Sequence, residues 1–151
     1  MEFCLRRYRF VVLDVPRTSP AMLDALDEVS AIVVVVTQDV AAVRSAARLV
    51  RNLGDRYGNA RIRVVINRFD SRSELGRSEV ERAVGSPVAH VMSADSRSAL
   101  EALNLGRPVV TGHGNGFAQE IRALAASLAG NVKKQSDTSS GLFARLVLRR
   151  A

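Results

Sequence analysis

The amino-acid sequence predicts an α/β fold, a mostly parallel sheet flanked by helices. Three observations lead there. Four short apolar runs, at 9–15, 31–37, 62–67 and 87–91, read as buried strands. Segments of helical periodicity separate them and are long enough for right-handed strand–helix–strand crossovers. One run, Ile32-Val33-Val34-Val35-Val36, lacks polar alternation, the pattern of a strand covered on both faces.

The first run, Phe10-Val11-Val12-Leu13, ends in the carboxylate of Asp14 and leads into Val15-Pro16-Arg17. After the second run, Asp39 is placed to cap a helix. The apolar face of that helix is Val40, Val43, Ala46, Ala47, Val50 and Leu53, with Gly54 as its expected stop. Residues 73–84 and 95–105 read as further helices, the second halted by Gly106 and Pro108. In 115–129, Phe117, Ile121, Leu124, Ala125 and Leu128 make a last packing helix. Beyond Gly130 the composition changes. Residues 131–140 are polar and read as a linker, and 141–151 form a short apolar and basic tail. The organisation predicted is one domain over 1–130, then the linker, then the tail.

A chain of 151 residues with 47% hydrophobic content can bury a sizeable core. The single cysteine, Cys4, cannot form an intrachain disulfide, which favours a reducing compartment. Arg6, Arg7 and Arg9 interrupt the N-terminus where a signal peptide would be apolar, and no run approaches the ~20 residues of a membrane span. The expected location is cytoplasmic. The net charge of +7 is concentrated at the N-terminus, on Arg44, Arg48 and Arg51, and in the tail. Arginine-rich surfaces attract the phosphates of nucleic acid or lipid headgroups, and an arginine-favouring coding bias gives the same composition.

Few residues carry recognisable chemistry. Asp14 ends a strand-like run at the edge where ligands gather in open α/β sheets, and an Asp there can hold hydrated Mg²⁺ beside a nucleotide phosphate. Asn67 closes the run Val64-Val65-Ile66 at the same edge. Its amide offers a donor and an acceptor to a purine, or it turns the chain through an Asx-turn. Asp95 is open to a nucleotide contact or to a helix N-cap. No G-x-x-x-x-G-K-[ST] phosphate loop occurs in the sequence, and Gly112-His113-Gly114-Asn115-Gly116 reads as a turn. His90 and His113 stand alone, without metal-ligand spacing.

Four segments in order resemble the C-terminal half of the MinD/ParA class of deviant-Walker ATPases, and within it the CpaE/TadZ-type proteins of tight-adherence pilus assembly. They are Phe10-Val11-Val12-Leu13-Asp14-Val15-Pro16-Arg17, Ala31 to Thr37 with Val43-Arg44-Ser45-Ala46, Val65-Ile66-Asn67-Arg68-Phe69, and Asp95 through Leu105-Gly106-Arg107-Pro108-Val109. The resemblance runs from about residue 8 to 130. It implies a partial P-loop NTPase (MinD-like) fold lacking the N-terminal phosphate-loop unit, as in a truncated frame or fragment. In that family the phosphate-loop strand lies between the strands matching 9–15 and 31–37. The sequence departs from the family at Met92-Ser93-Ala94, where a proline usually precedes the position of Asp95.

The resemblance implies ATP and Mg²⁺ as cofactors of the intact protein. Asp14 would be the catalytic residue and hold Mg²⁺ through water. Pro16 and Arg17 would lie at the γ-phosphate, and Asn67, Arg68 and Asp95 on the base side. It further implies a nucleotide-switched homodimer, pilus-assembly proteins as partners, and an inner-membrane or polar position. The tail 141–150 would be a basic segment for an anionic membrane surface. Two alternatives stay open: a ParA-like partition ATPase gripping DNA non-specifically, the less favoured, and a non-catalytic scaffold. The chain alone is expected not to hydrolyse ATP.

Overall fold

The computed structural model describes residues 2–15, 24–111 and 116–130. Helix α1 (Glu2–Arg7) precedes a segment over 10–15 without regular secondary structure, and a short 3₁₀ turn (Asp24–Glu28) leads into the sheet. Strands β1 (Ile32–Val36), β2 (Ile62–Phe69) and β3 (Val88–Ser93) pair in the order β1-β2-β3, all parallel. Helix α2 (Val40–Tyr57) crosses from β1 to β2, and α3 (Arg77–Val84) from β2 to β3. Helices α4 (Ser96–Asn104) and α5 (Gly116–Gly130) follow, with a 3₁₀ turn at Val109–Thr111 between them. Among these helices none is long and apolar enough to cross a membrane. The linker and tail expected at 131–151 lie outside the described residues.

One core holds the sheet to α2 and α3. Ile32, Val34 and Val36 point into it from β1, Val64 and Ile66 from β2, and Val43, Ala46, Val50 and Leu53 from α2. The helical residues recur at three- and four-residue spacing, so one stripe of α2 meets the sheet. Val80 and Val84 of α3 complete this layer. Asp39 caps α2 as its sequence suggests: the Ala42 N–H donates to Asp39 Oδ1 at 2.7 Å. Gly54 does not stop the helix. Nothing forbids glycine in a helix interior, and α2 runs on to Gly58, whose φ of 82° is the left-handed geometry that ends it. Helix α3 starts at Arg77, four residues later than its expected beginning at 73, because 70–76 form the loop that Gln38 holds. Its C-terminal half is tied to β3, since Glu81 Oε1 accepts from the Val88 N–H at 2.8 Å and from Arg77 Nε at 3.1 Å.

Two expectations about strands are corrected. The run 9–15 forms no strand, and Val12 is 93% exposed. A strand exists only where a neighbour takes its N–H and C=O groups, and none of the described residues does so here. Nor is β1 covered on both faces. Its burial alternates, Val35 is 60% exposed, and its outer edge has no paired strand among the described residues. Apolarity on both faces thus records a need for cover that these residues do not meet. Helix α5 packs on the β3 end of the sheet, with Ala118 its one buried residue.

Candidate functional site

The carboxyl ends of the strands bring three of the sequence-selected residues to one edge. Strand β2 continues past Asn67 to Phe69, and its ladder with β3 slips there: Ile66 pairs with Val91, but Phe69 with Ser93. One extra residue of β2 is accommodated between these pairs, a bulge of the kind that re-aims side chains at sheet edges. Arg68 takes up the irregularity with φ 54°, a left-handed conformation uncommon for arginine. Asn67 supports it, its Oδ1 accepting the Arg68 N–H at 2.9 Å. Asn67 is half-buried and Arg68 exposed. The carboxamide oxygen thus accepts one local bond, and the amide nitrogen is a donor at this edge.

Asp95 stands one step along the same edge. The Ala94 N–H donates to the Phe69 carbonyl at 3.1 Å, fastening the exit of β3 to the end of β2. Asp95 caps α4: its Oδ1 accepts from the Ser98 N–H at 2.9 Å and its Oδ2 from the Ser98 hydroxyl at 2.6 Å. These bonds, the hydroxyl's foremost, hold its carboxyl below the usual aspartate range. Both oxygens are thus committed to local structure.

The edge is braced by residues that sequence reasoning missed. Gln38, just beyond β1, donates from Nε2 to the Leu75 carbonyl at 2.6 Å and accepts the Asp70 N–H at 2.6 Å. Asp70 in turn binds Arg72 with both oxygens, and that guanidinium lowers its pKa to about 2. Glu120 of α5 accepts from the Ser93 N–H at 2.8 Å and hydroxyl at 2.6 Å. The sequence held a faint signal for Gln38, a long amide directly after the apolar run of β1. Glu120 had none, because its partner is 27 residues away.

Asp14 is not brought into this group by a strand. It is exposed on the segment 10–15, while its neighbour Val15 packs on the core. Pro16 and Arg17 lie outside the described residues. Along the open side of β1 runs a groove of about 520 Å³ lined by Val35, Val36, Thr37, Ala41, Ala42, Ser45 and Arg48. Of the sequence-selected residues, Asn67, Arg68 and Asp95 share the carboxyl edge of the sheet. Among the described residues no three His, Cys, Asp or Glu side chains converge, and Asp14 is the carboxylate the sequence offers to a hydrated Mg²⁺.

No protein-family model and no curated protein sequence matches the chain. Solved structures do. A ParA family ATPase from Chlorobium tepidum TLS superposes with a TM-score of 0.64 at 21% identity, over 72% of this chain and 45% of that one. The MinD cell division protein of Aquifex aeolicus gives 0.66 at 18% identity, over 76% of this chain and 50% of that one. The MinC:MinD cell division protein complex of Aquifex aeolicus gives 0.66 at 18%, over 75% and 48%. This chain spans about half the length of the structures it matches. With its parallel three-stranded sheet flanked by helices, it has the fold of part of a MinD/ParA-type P-loop NTPase.

Proposed function

We propose that this chain is the base-side half of a MinD/ParA-type ATP-dependent switch, of the CpaE/TadZ kind that positions or assembles tight-adherence pili. One observation carries the reading. On a fold shared with a ParA family ATPase and MinD, the bulged end of β2 sets Asn67 and Arg68 at the ligand-gathering edge of a parallel sheet. The pilus assignment rests on the sequence resemblance, above all on Asp14-Val15-Pro16-Arg17.

In this proposal Asn67 offers its amide to adenine, and Arg68 and the Asp95 turn border the base. Asp14 belongs to the phosphate side with Pro16 and Arg17, where ATP would arrive with Mg²⁺. The bound ion would neutralise phosphate charge there. The sequence contains no phosphate loop, so the backbone cradle and lysine on which phosphoryl transfer depends would come from a separate segment. The open side of β1 is where such a segment would pack. A nucleotide-linked dimer, pilus-assembly partners, and membrane attachment through 141–150 extend the same proposal.

Reconstitution tests it. The chain is mixed with a separately produced phosphate-loop half of a CpaE-type ATPase, and Mg²⁺-dependent ATP turnover is followed. Turnover should require both halves and vanish with Asp14→Ala. Turnover by this chain alone, or turnover in the mixture indifferent to Asp14→Ala, contradicts the proposal.

A further inference from the structure

We propose that the exposed face of α4 is a docking surface for a second copy of this chain, the two helices packing antiparallel about Leu100. This contact is independent of nucleotide. Helix α4 buries none of its residues, although its composition is amphipathic. Leu100 is 57% and Leu103 75% exposed, two large apolar groups on one side of the helix, and Leu105 at its C-cap is 62% exposed. Arg97, Leu100, Glu101, Asn104 and Leu105 line one groove of about 360 Å³ along this helix.

The charge pattern identifies the occupant. Arg97 and Glu101 carry opposite charges one turn apart on the lining of the groove, with Leu100 between them. A surface with both signs is self-complementary under a two-fold axis. With a rise of about 1.5 Å per residue, an antiparallel pair centred on Leu100 sets each Arg97 only about 3 Å along the axis from the other copy's Glu101. Both ion pairs then form at once. A parallel alignment would instead put Arg97 beside Arg97. The two-fold antiparallel arrangement lets Leu100 meet its own copy while both charged pairs form.

The contact is small. A nine-residue helix cannot by itself supply the ~1,200 Å² of a standard interface, so association is weak and depends on concentration. Sedimentation velocity of the full chain, run without nucleotide from micromolar to millimolar concentration, should show a monomer–dimer equilibrium. Leu100→Asp should weaken it about tenfold or more. Arg97→Glu and Glu101→Arg should each weaken it, and the double exchange should restore it. All three positions are exposed, and circular dichroism checks that the variants keep the fold. A chain monomeric throughout overturns the proposal, as does a dimer indifferent to Leu100→Asp. A dimer lost with Leu100→Asp but not rescued by the double exchange overturns the antiparallel pairing.

Discussion

Gln38 and Asp70 bond to each other in both directions. The Asp70 N–H donates to Gln38 Oε1 at 2.6 Å, and Gln38 Nε2 donates to the Asp70 carbonyl at 3.2 Å. One side chain at the end of β1 thereby fixes the loop that follows the bulge of β2, thirty-two residues away. Gln38→Ala would leave the Asp70 N–H and the Leu75 carbonyl short of a partner in a half-buried place. A loss of about 1–2 kcal/mol is expected by urea denaturation. Amide exchange should quicken at 70–75 and leave α2 protected. Unchanged exchange at Asp70 would mean the clamp does not hold the loop.

Burial separates two apolar positions of the sheet. Ile66 is fully buried at the centre of the core, so Ile66→Ala should cost about 3 kcal/mol. Val35 faces outward, and Val35→Lys should change stability by no more than about 0.5 kcal/mol. The same lysine should block reconstitution with a phosphate-loop half, since it stands on the side that half would cover. A large stability loss from Val35→Lys in the chain alone would show that its outer face is already covered.

Acid should loosen the fold through four carboxylates held below their ordinary values: Asp39 by the Thr37 hydroxyl, Asp70 by Arg72, Glu81 by the Val88 N–H, and Asp95 by the Ser98 hydroxyl. A lowered folded-state pKa gives stability that is present above the unfolded value and lost as pH falls through the folded one. For Asp70 the window runs from 3.8 down to about 2. Thermal unfolding should therefore move to lower temperature as pH drops across that range, and less so in Asp70→Asn. An equal drop in the variant would assign the effect to other groups.

Arg44, Arg48 and Arg51 are exposed along α2, beside its buried stripe. They are expected to be a solvated row. Titration with duplex DNA should show no steep salt dependence attributable to them. Tight, salt-sensitive binding that disappears when all three become alanine would favour the partition reading over the pilus one.

The parallel α/β class and the strands β1, β2 and β3 were legible because they rest on local periodicity. The Asp39 cap was legible for the same reason, since cap and capped N–H lie three residues apart. The run 9–15 misled because its apolarity is that of a strand, while strand formation depends on a neighbour that periodicity does not report. Asn67 was selected from its place at a strand end. The bulge that sets it, and the left-handed Arg68, come from a register slip against β3 and leave no mark in β2 itself. Asp95 carried both meanings in sequence, and the structure shows its cap.

The base-side role of Asn67 is tested most directly by following backbone amides of the ¹⁵N-labelled chain during titration with ATP and Mg²⁺. Without a phosphate cradle, binding should be weak, in the millimolar range of about 4 kcal/mol. The account predicts that shifts concentrate at Asn67, Arg68 and the turn at 93–95, and that Asn67→Ala abolishes them. No shift at the end of β2 at saturating nucleotide, or shifts confined to Arg44, Arg48 and Arg51, would contradict it.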